Sequence, residues 1–196
     1  MGTKQFLALL EVDKIQSYIF ATNKLKEIRG ASYLLSEIND KETKKILYSE
    51  EYKDTAKPIL SVGGMTKVVF DNKDDVKAKA FLGEVETLYK DVNIPVTTHI
   101  EPIDDDFSSA LEKGEKAIRR KKESKQYGYQ ANTSPYYKRC TLCGVYPAEY
   151  KSPDKDNNRY DLLCTSCSMK RNRSNKRLDI YDKIREKFNE NGIAID

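Results

Sequence analysis

The chain lacks any apolar run near the about 20 residues that a membrane-spanning helix requires. Its N-terminus also lacks the basic and apolar regions of a signal peptide. Met1-Gly2 is followed by Phe6 where a myristoylation signal wants Ser or Thr, so a lipid anchor is not expected either. These absences point to the cytoplasm and to no membrane partner. Hydrophobic residues are scarce, 38% of 196, and 34% are charged. That composition suits one domain of ordinary size with a modest core, plus a small appendage. Histidine is reduced to His99, which sits in a strand pattern and reads as structural. There are only four cysteines, and in a reducing compartment they argue for metal rather than disulfides.

What is present begins with residues 6 to 39. The apolar positions Phe6, Leu7, Ala8, Leu9, Leu10 and Val12 read as a buried strand over 5–12 that ends on a single carboxylate, Asp13. Helical spacing then predicts helices over 14–24 and 31–39, jointed at Gly30, and another over 40–56. The block Arg29-Gly30-Ala31-Ser32 packs small residues where a backbone or a ligand can come close. Ile59 to Val62 and Lys67 to Phe70 flank Gly63-Gly64 as a hairpin, because glycine takes positive φ without steric cost. A helix over 74–91, a strand over 94–100 and a helix capped by Asp105 or Asp106 and running to about Ser124 follow. This order predicts an α+β, ferredoxin-like antiparallel sheet with helices on one face.

Cys140-x-x-Cys143 and Cys164-x-x-Cys167 are two matched pairs, each suited to place two thiolates on one tetrahedral ion. The polar segment between them offers no core, so a structural Zn²⁺ is expected to replace one. A closed four-thiolate site has no open position for Lewis-acid chemistry. The net charge of +4 is mild, but basic residues cluster at 119–125 and 170–177, where they suit a phosphate backbone or simply a solvated helix face. Tyr127, Tyr129, Tyr136 and Tyr137 lie beside the first cluster, where stacking on bases competes with packing against the cysteine module.

With these pieces in order, the sequence resembles the large polymerase-like subunit of type III CRISPR effector complexes, which has two palm domains with a zinc-binding insertion between them. The resemblance rests on Asp13 to Phe20, on Leu25 to Leu35 with its Arg-Gly-Ala-Ser core, on Val62-Gly63-Gly64, on Cys140 to Glu149, and on Leu163-Cys-x-x-Cys. It implies a first palm over 1–125, a zinc module over 136–170 and a basic C-terminal helical segment over 171–196. The HD nuclease-like domain, second palm and helical domain of that subunit have no counterpart here. A fragment, a piece of a split subunit or a free-standing relative is therefore expected.

The departure lies in the hairpin. In active palms of this superfamily, including the GGDEF diguanylate cyclases, the glycines continue into acids that join the strand-end Asp in holding two divalent cations. Here they continue into Met65-Thr66, and neither side chain replaces a carboxylate for Mg²⁺. The first palm of the type III subunit itself often lacks those acids. Glu11 shares a strand face with Asp13; Asp104 to Asp106 read as a helix-capping loop. The resemblance thus implies a non-catalytic or composite-site module binding an ATP-like nucleotide or RNA in cyclic-oligonucleotide antiviral signalling. Its partner would be a second palm, in a homodimer or among other CRISPR effector subunits. Asp13, the catalytic candidate, would lie with Arg29, Ser32, Gly63, Gly64 and Lys67 around the nucleotide, and Mg²⁺ or Mn²⁺ with ATP would be the only other metal. The rival expectation is an enzyme, a minimal cyclic-oligonucleotide synthase acting as a homodimer.

Overall fold

The computed structural model describes residues 4–72, 75–104, 106–125, 136–154 and 159–174. Tyr127, Tyr129, Asp105 and most of the expected segment 171–196 lie outside these residues. A four-stranded antiparallel sheet is built from β1 (Lys4–Val12), β2 (Ala56–Val62), β3 (Met65–Asn72) and β4 (Val96–Ile103), in the order β2-β3-β1-β4. The helices are α1 (Ile15–Ile19), α2 (Leu25–Glu37), α3 (Thr43–Leu47), α4 (Val76–Asp91) and α5 (Phe107–Ser124). The strand and helix order is the expected ferredoxin-like one. A two-stranded hairpin, β5 (Tyr150–Asp154) and β6 (Arg159–Leu163), and helix α6 (Thr165–Ser174) complete the described residues. Among the described residues no helix is long and apolar enough to cross a membrane.

Strand β1 is apolar on both faces because both are covered. Ala8, Leu10 and Val12 join Val68 and Phe70 of β3 against Ala31 and Leu34 of α2 and Phe81 and Val85 of α4. Leu7 and Leu9 join Val69 against Ile118 of α5. The expectation of helices on one face is corrected here, since α5 closes the second face. A strand with apolar residues at nearly every position cannot leave either side in water. Gly114 lets α5 settle onto Leu9, whose side chain fills the space a Cβ would need.

Two further expectations are corrected. Gly30 is not a joint: α2 runs straight through it, starting at Leu25. The glycine is there because α6 crosses α2 at that point, and a Cβ would overlap the Lys170 carbonyl oxygen. The close approach read from Arg29-Gly30-Ala31-Ser32 is thus one of backbone to backbone. The helix expected over 40–56 is shorter. A π-helical turn, Ile38–Glu42, carries α2 into α3, and the chain leaves helix at Tyr48. The open edge at β2 is blunted by exposed Lys57 and Pro58 and by a register shift between Pro58 and Leu60.

Two of the helical glycines, Gly30 and Gly83, make opposite predictions. Gly30→Ala drives a methyl into the Lys170 backbone and should destabilise by about 1–3 kcal/mol. Gly83→Ala, in α4 with no neighbour near its Cβ position, should stabilise by about 0.5–1 kcal/mol. Urea denaturation of both variants measures this; equal effects would rule out the α2–α6 contact.

Candidate functional site at the strand exit and the cysteine cluster

Asp13 leaves β1 at the edge of the core and is 0% exposed. Its backbone N–H donates to the Pro95 carbonyl at 2.8 Å, and the chain then turns through Lys14 at φ 49° to enter α1. A buried carboxylate needs an opposite charge or several donors. Lys125, at the C-terminal end of α5, donates through Nζ to Asp13 Oδ2 at 2.9 Å, to the Val96 carbonyl at 2.6 Å and to Thr97 Oγ1 at 2.7 Å. Thr97 Oγ1 in turn donates to Asp13 Oδ1 at 2.7 Å. One turn earlier, Lys122 Nζ meets Glu11 Oε2 at 2.6 Å and the Val12 carbonyl at 3.0 Å, and stands 3.8 Å from Asp13 Oδ1. Two carboxylates therefore face two ammonium groups, and the cluster carries no surplus negative charge.

The hairpin completes the picture. Met65 is paired with Glu11 across β1 and β3, so a thioether stands where a further carboxylate would be needed. Thr66, paired with Leu10, turns to the opposite face, is buried and lies 3.4 Å from Ser61 Oγ. Gly63 and Gly64 have φ 63° and 85°, as the turn demands. Gly64 packs against Val12 and Ile15, whereas Gly63 has open space around it. Their N–H groups point at Asn39, held beneath the hairpin by the π-helical turn. With its amide oriented to satisfy every partner, Asn39 Oδ1 accepts from Gly63 N at 3.2 Å and Gly64 N at 2.7 Å, while Nδ2 donates to Tyr89 Oη.

The structure thus brings Asp13 and Gly64 to one end of the sheet. Lys67 lies across from Leu9 and pairs with Glu115 of α5. Arg29 and Ser32 are exposed on α2, which packs on the other face of the sheet from α5; Ser32 Oγ donates to the Ile28 carbonyl at 3.2 Å. Asp106 caps α5 by accepting from Ser109 N at 2.9 Å. His99 Nε2 lies 2.9 Å from Glu101 Oε2 on the same strand. Sequence reasoning missed Thr97, Asn39 and the inward role of Lys122 and Lys125. The one available signal was the three-residue spacing of those lysines, which gives them one helix face inside an otherwise exposed basic run.

The second cluster is made of sulfur. The Sγ atoms of Cys140, Cys143, Cys164 and Cys167 all lie within 4.8 Å of one another. Metal–sulfur bonds of about 2.3 Å in a tetrahedron require sulfur–sulfur edges of about 3.8 Å, and Cys143 and Cys164 are 3.8 Å apart. The donor set fits zinc. Gly144, at φ 66°, lets its N–H return to the Cys140 carbonyl at 2.9 Å and close the first knuckle. Hydrogen bonding from the three neighbouring cysteines holds the Cys140 thiol well below its ordinary range. The second pair sits at the start of α6, where Cys167 N donates to Cys164 Sγ at 3.5 Å.

Helix α6 ties this cluster to the sheet domain. Lys170 is buried, its Nζ donating to the Tyr18 carbonyl at 2.6 Å and lying 3.8 Å from the Tyr18 ring centroid. Burial pushes its amine down from the ordinary value, against the pull of the cysteine thiolates. Arg171 bridges Glu27 Oε1 at 2.8 Å and Asp161 Oδ2 at 2.6 Å; Lys24 reaches the same Asp161 oxygen at 3.2 Å. Arg173 pairs with Glu37 at 2.8 Å.

No protein-family model matches the chain, and no curated protein matches it. Solved structures similar to it include several of Csm1. In a Csm1–Csm4 cassette in complex with AMPPNP the identity is 19% and the TM-score 0.48, over 61% of this chain and 19% of that one. For Csm1 in T. onnurineus the values are 18% and 0.48, over 61% and 20%. For a Csm1–Csm4 cassette in complex with cA4 they are 19% and 0.44, over 61% and 18%. The chain matches about a fifth of the length of these Csm1 chains.

Two outcomes are expected of these clusters. Lys125→Met strands a buried carboxylate and should cost about 3 kcal/mol; in Asp13→Asn/Lys125→Met the two losses should be far from additive in a urea double-mutant cycle. Additive losses would mean that the pair is not coupled. Purified protein should carry one equivalent of zinc by metal analysis, and Cys164→Ser should lose it together with the helical circular dichroism of α6.

Proposed function

We propose that this chain is a non-catalytic palm–zinc module of a type III CRISPR-like antiviral system, which binds an ATP-like nucleotide or RNA or contributes to a composite site with a second palm. The fold order, the glycine hairpin and the paired Cys-x-x-Cys motifs support the placement. The observation that carries the non-catalytic reading is the neutralisation of Asp13 by Lys125 and Lys122. Two-metal phosphoryl transfer needs several convergent, unneutralised carboxylates, whereas here the oxygens at the strand exit are shared between two ammonium groups.

Of the nucleotide set inferred from the motifs, Arg29, Ser32 and Gly63 keep accessible positions. Asp13 and Lys67 are committed to α5, and the N–H groups of both Gly63 and Gly64 to Asn39. Within the sheet domain, the exposed Arg119 and Arg120 of α5 and Arg29 of α2 are cations left available to phosphate. Zinc is the resident metal under this reading, and its role is structural. A four-thiolate cluster is kept reduced in a reducing compartment, which supports a cytoplasmic protein under this reading.

Incubation of the zinc-loaded protein with ATP and Mg²⁺ or Mn²⁺, followed by mass spectrometry, should yield no cyclic or linear oligoadenylate. Products that disappear in Asp13→Asn would overturn the reading in favour of a homodimeric synthase.

A further inference from the structure

We infer that the cysteine-bound unit carries a binding surface for single-stranded polynucleotide, made of exposed tyrosine rings set among cations. The inference takes its ligand class from the reading above and assigns that ligand to a different surface. Register places the surface on the hairpin. Lys151 is paired with Leu162 and Pro153 with Tyr160, so these four share one face of β5–β6; Ser152 and Asp161 share the other. Asp161 is held by Lys24 and Arg171 on the side of α2 and α6. Lys151 and Tyr160 therefore face away from the sheet domain, with Lys151 Nζ 4.2 Å from the ring centroid.

The arm leading into Cys140 repeats the combination. Tyr136 and Tyr137 are 92% and 62% exposed, and Tyr160 is 63% exposed. Lys138 and Arg139 follow directly and are also exposed. Arg139 bridges to Pro147, and the Lys138 carbonyl accepts from Ala148 N at 2.8 Å. The arm thus pairs with the stretch just before β5, and one small unit anchored by the cysteine cluster carries both ring–cation groups. Glu149, an exposed carboxylate beside them among the described residues, accepts from Thr165 Oγ1 at 2.8 Å.

This combination selects a ligand. Cations alone would suit any polyanion, and rings alone any apolar surface. Unpaired bases joined by phosphates satisfy both, because each base offers a π-face and each linkage a charge. A duplex hides its base faces and leaves the rings without a partner.

The full zinc-loaded chain should be titrated, by fluorescence anisotropy over a range of salt, into a labelled RNA strand of about 16 nucleotides, the DNA strand of the same sequence, and the duplex. Single strands should bind more tightly than duplex; preference for the RNA strand would assign RNA as the source, and equal binding a sequence-tolerant polynucleotide surface. Tyr136→Ala/Tyr137→Ala and Tyr160→Ala should each weaken binding by about tenfold, and the Phe counterparts should restore it because they keep the stacking face. Lys138→Ala/Arg139→Ala should flatten the salt dependence. Zinc content and Tm confirm that each variant is folded. Absence of binding by the wild-type chain, duplex affinity equal to that of single strands, or Ala variants that bind as the wild type would overturn the inference. The last result would leave the non-catalytic reading intact, whereas oligoadenylate synthesis from ATP would remove that reading without altering the stacking measurement.

Discussion

A carboxylate without solvent at the end of a central strand must be met by positive charge, and much of this molecule is arranged around meeting it. Asp13 lies where β1 exits between the hairpin and the start of β4, with Val12 N donating to the Gly64 carbonyl at 2.7 Å. In that enclosure the choice is a metal ion, a protonated acid or an internal cation. This chain uses the ammonium of Lys125, supported by Thr97 and by Lys122 one turn earlier. The requirement fixes the length of α5, which has to extend past Ile118 for its last turn to reach the strand exit. It also gives Asp13 a structural use, as half of an ion pair, beside a hairpin that carries Met65 and Thr66 in place of acids.

The cysteine cluster acts on the same region from the opposite layer. Its second pair begins α6, and α6 lies on α2 so closely that Gly30 can carry no side chain. Lys170 then reaches Tyr18 of α1, three ion pairs join α6 to α2 and β6, and Met169 packs on the main core. A divalent ion on four thiolates would carry two surplus negative charges, and the buried Lys170 ammonium is placed to offset one of them. Metal binding would therefore stabilise more than the module itself, because α6 packs on α2 and reaches α1.

The sequence was most legible where periodicity or spacing was strict. The apolar run of β1, the Gly63-Gly64 turn, the stripe of α4 and the two Cys-x-x-Cys pairs all appear where they were expected. What failed depended on contacts between distant segments. Gly30 looked like a joint because glycine weakens helices; its real cause, a helix crossing from residue 170, leaves no local trace. Lys122 and Lys125 read as phosphate contacts or a solvated face because their three-residue spacing gives them one helix face without saying that this face meets Asp13. The second helical layer was implicit in β1 itself, whose continuous apolar pattern required two covers. Asn39 was hidden inside a charged stretch, and only the π-helical turn aims it at the hairpin.

Whether the strand exit can ever take a divalent ion is decided by α5 rather than by Asp13. For an ion to enter, both ammonium groups must leave, and they are attached to a helix seated on the sheet. Lifting α5 exposes Leu7, Leu9, Val69 and Ile118. At about 1.5–3 kcal/mol for each such side chain, the cost is about 6–12 kcal/mol, comparable to the whole stability of an ordinary domain. A bound divalent ion would have to return that amount from two carboxylates facing a thioether. Rotating the lysine side chains away while α5 stays seated is less costly, but it leaves their charge beside the ion. The closed arrangement is therefore the stable one for the isolated chain. A partner that opened it would have to cover the α5 face of the sheet as well as supply the missing acids.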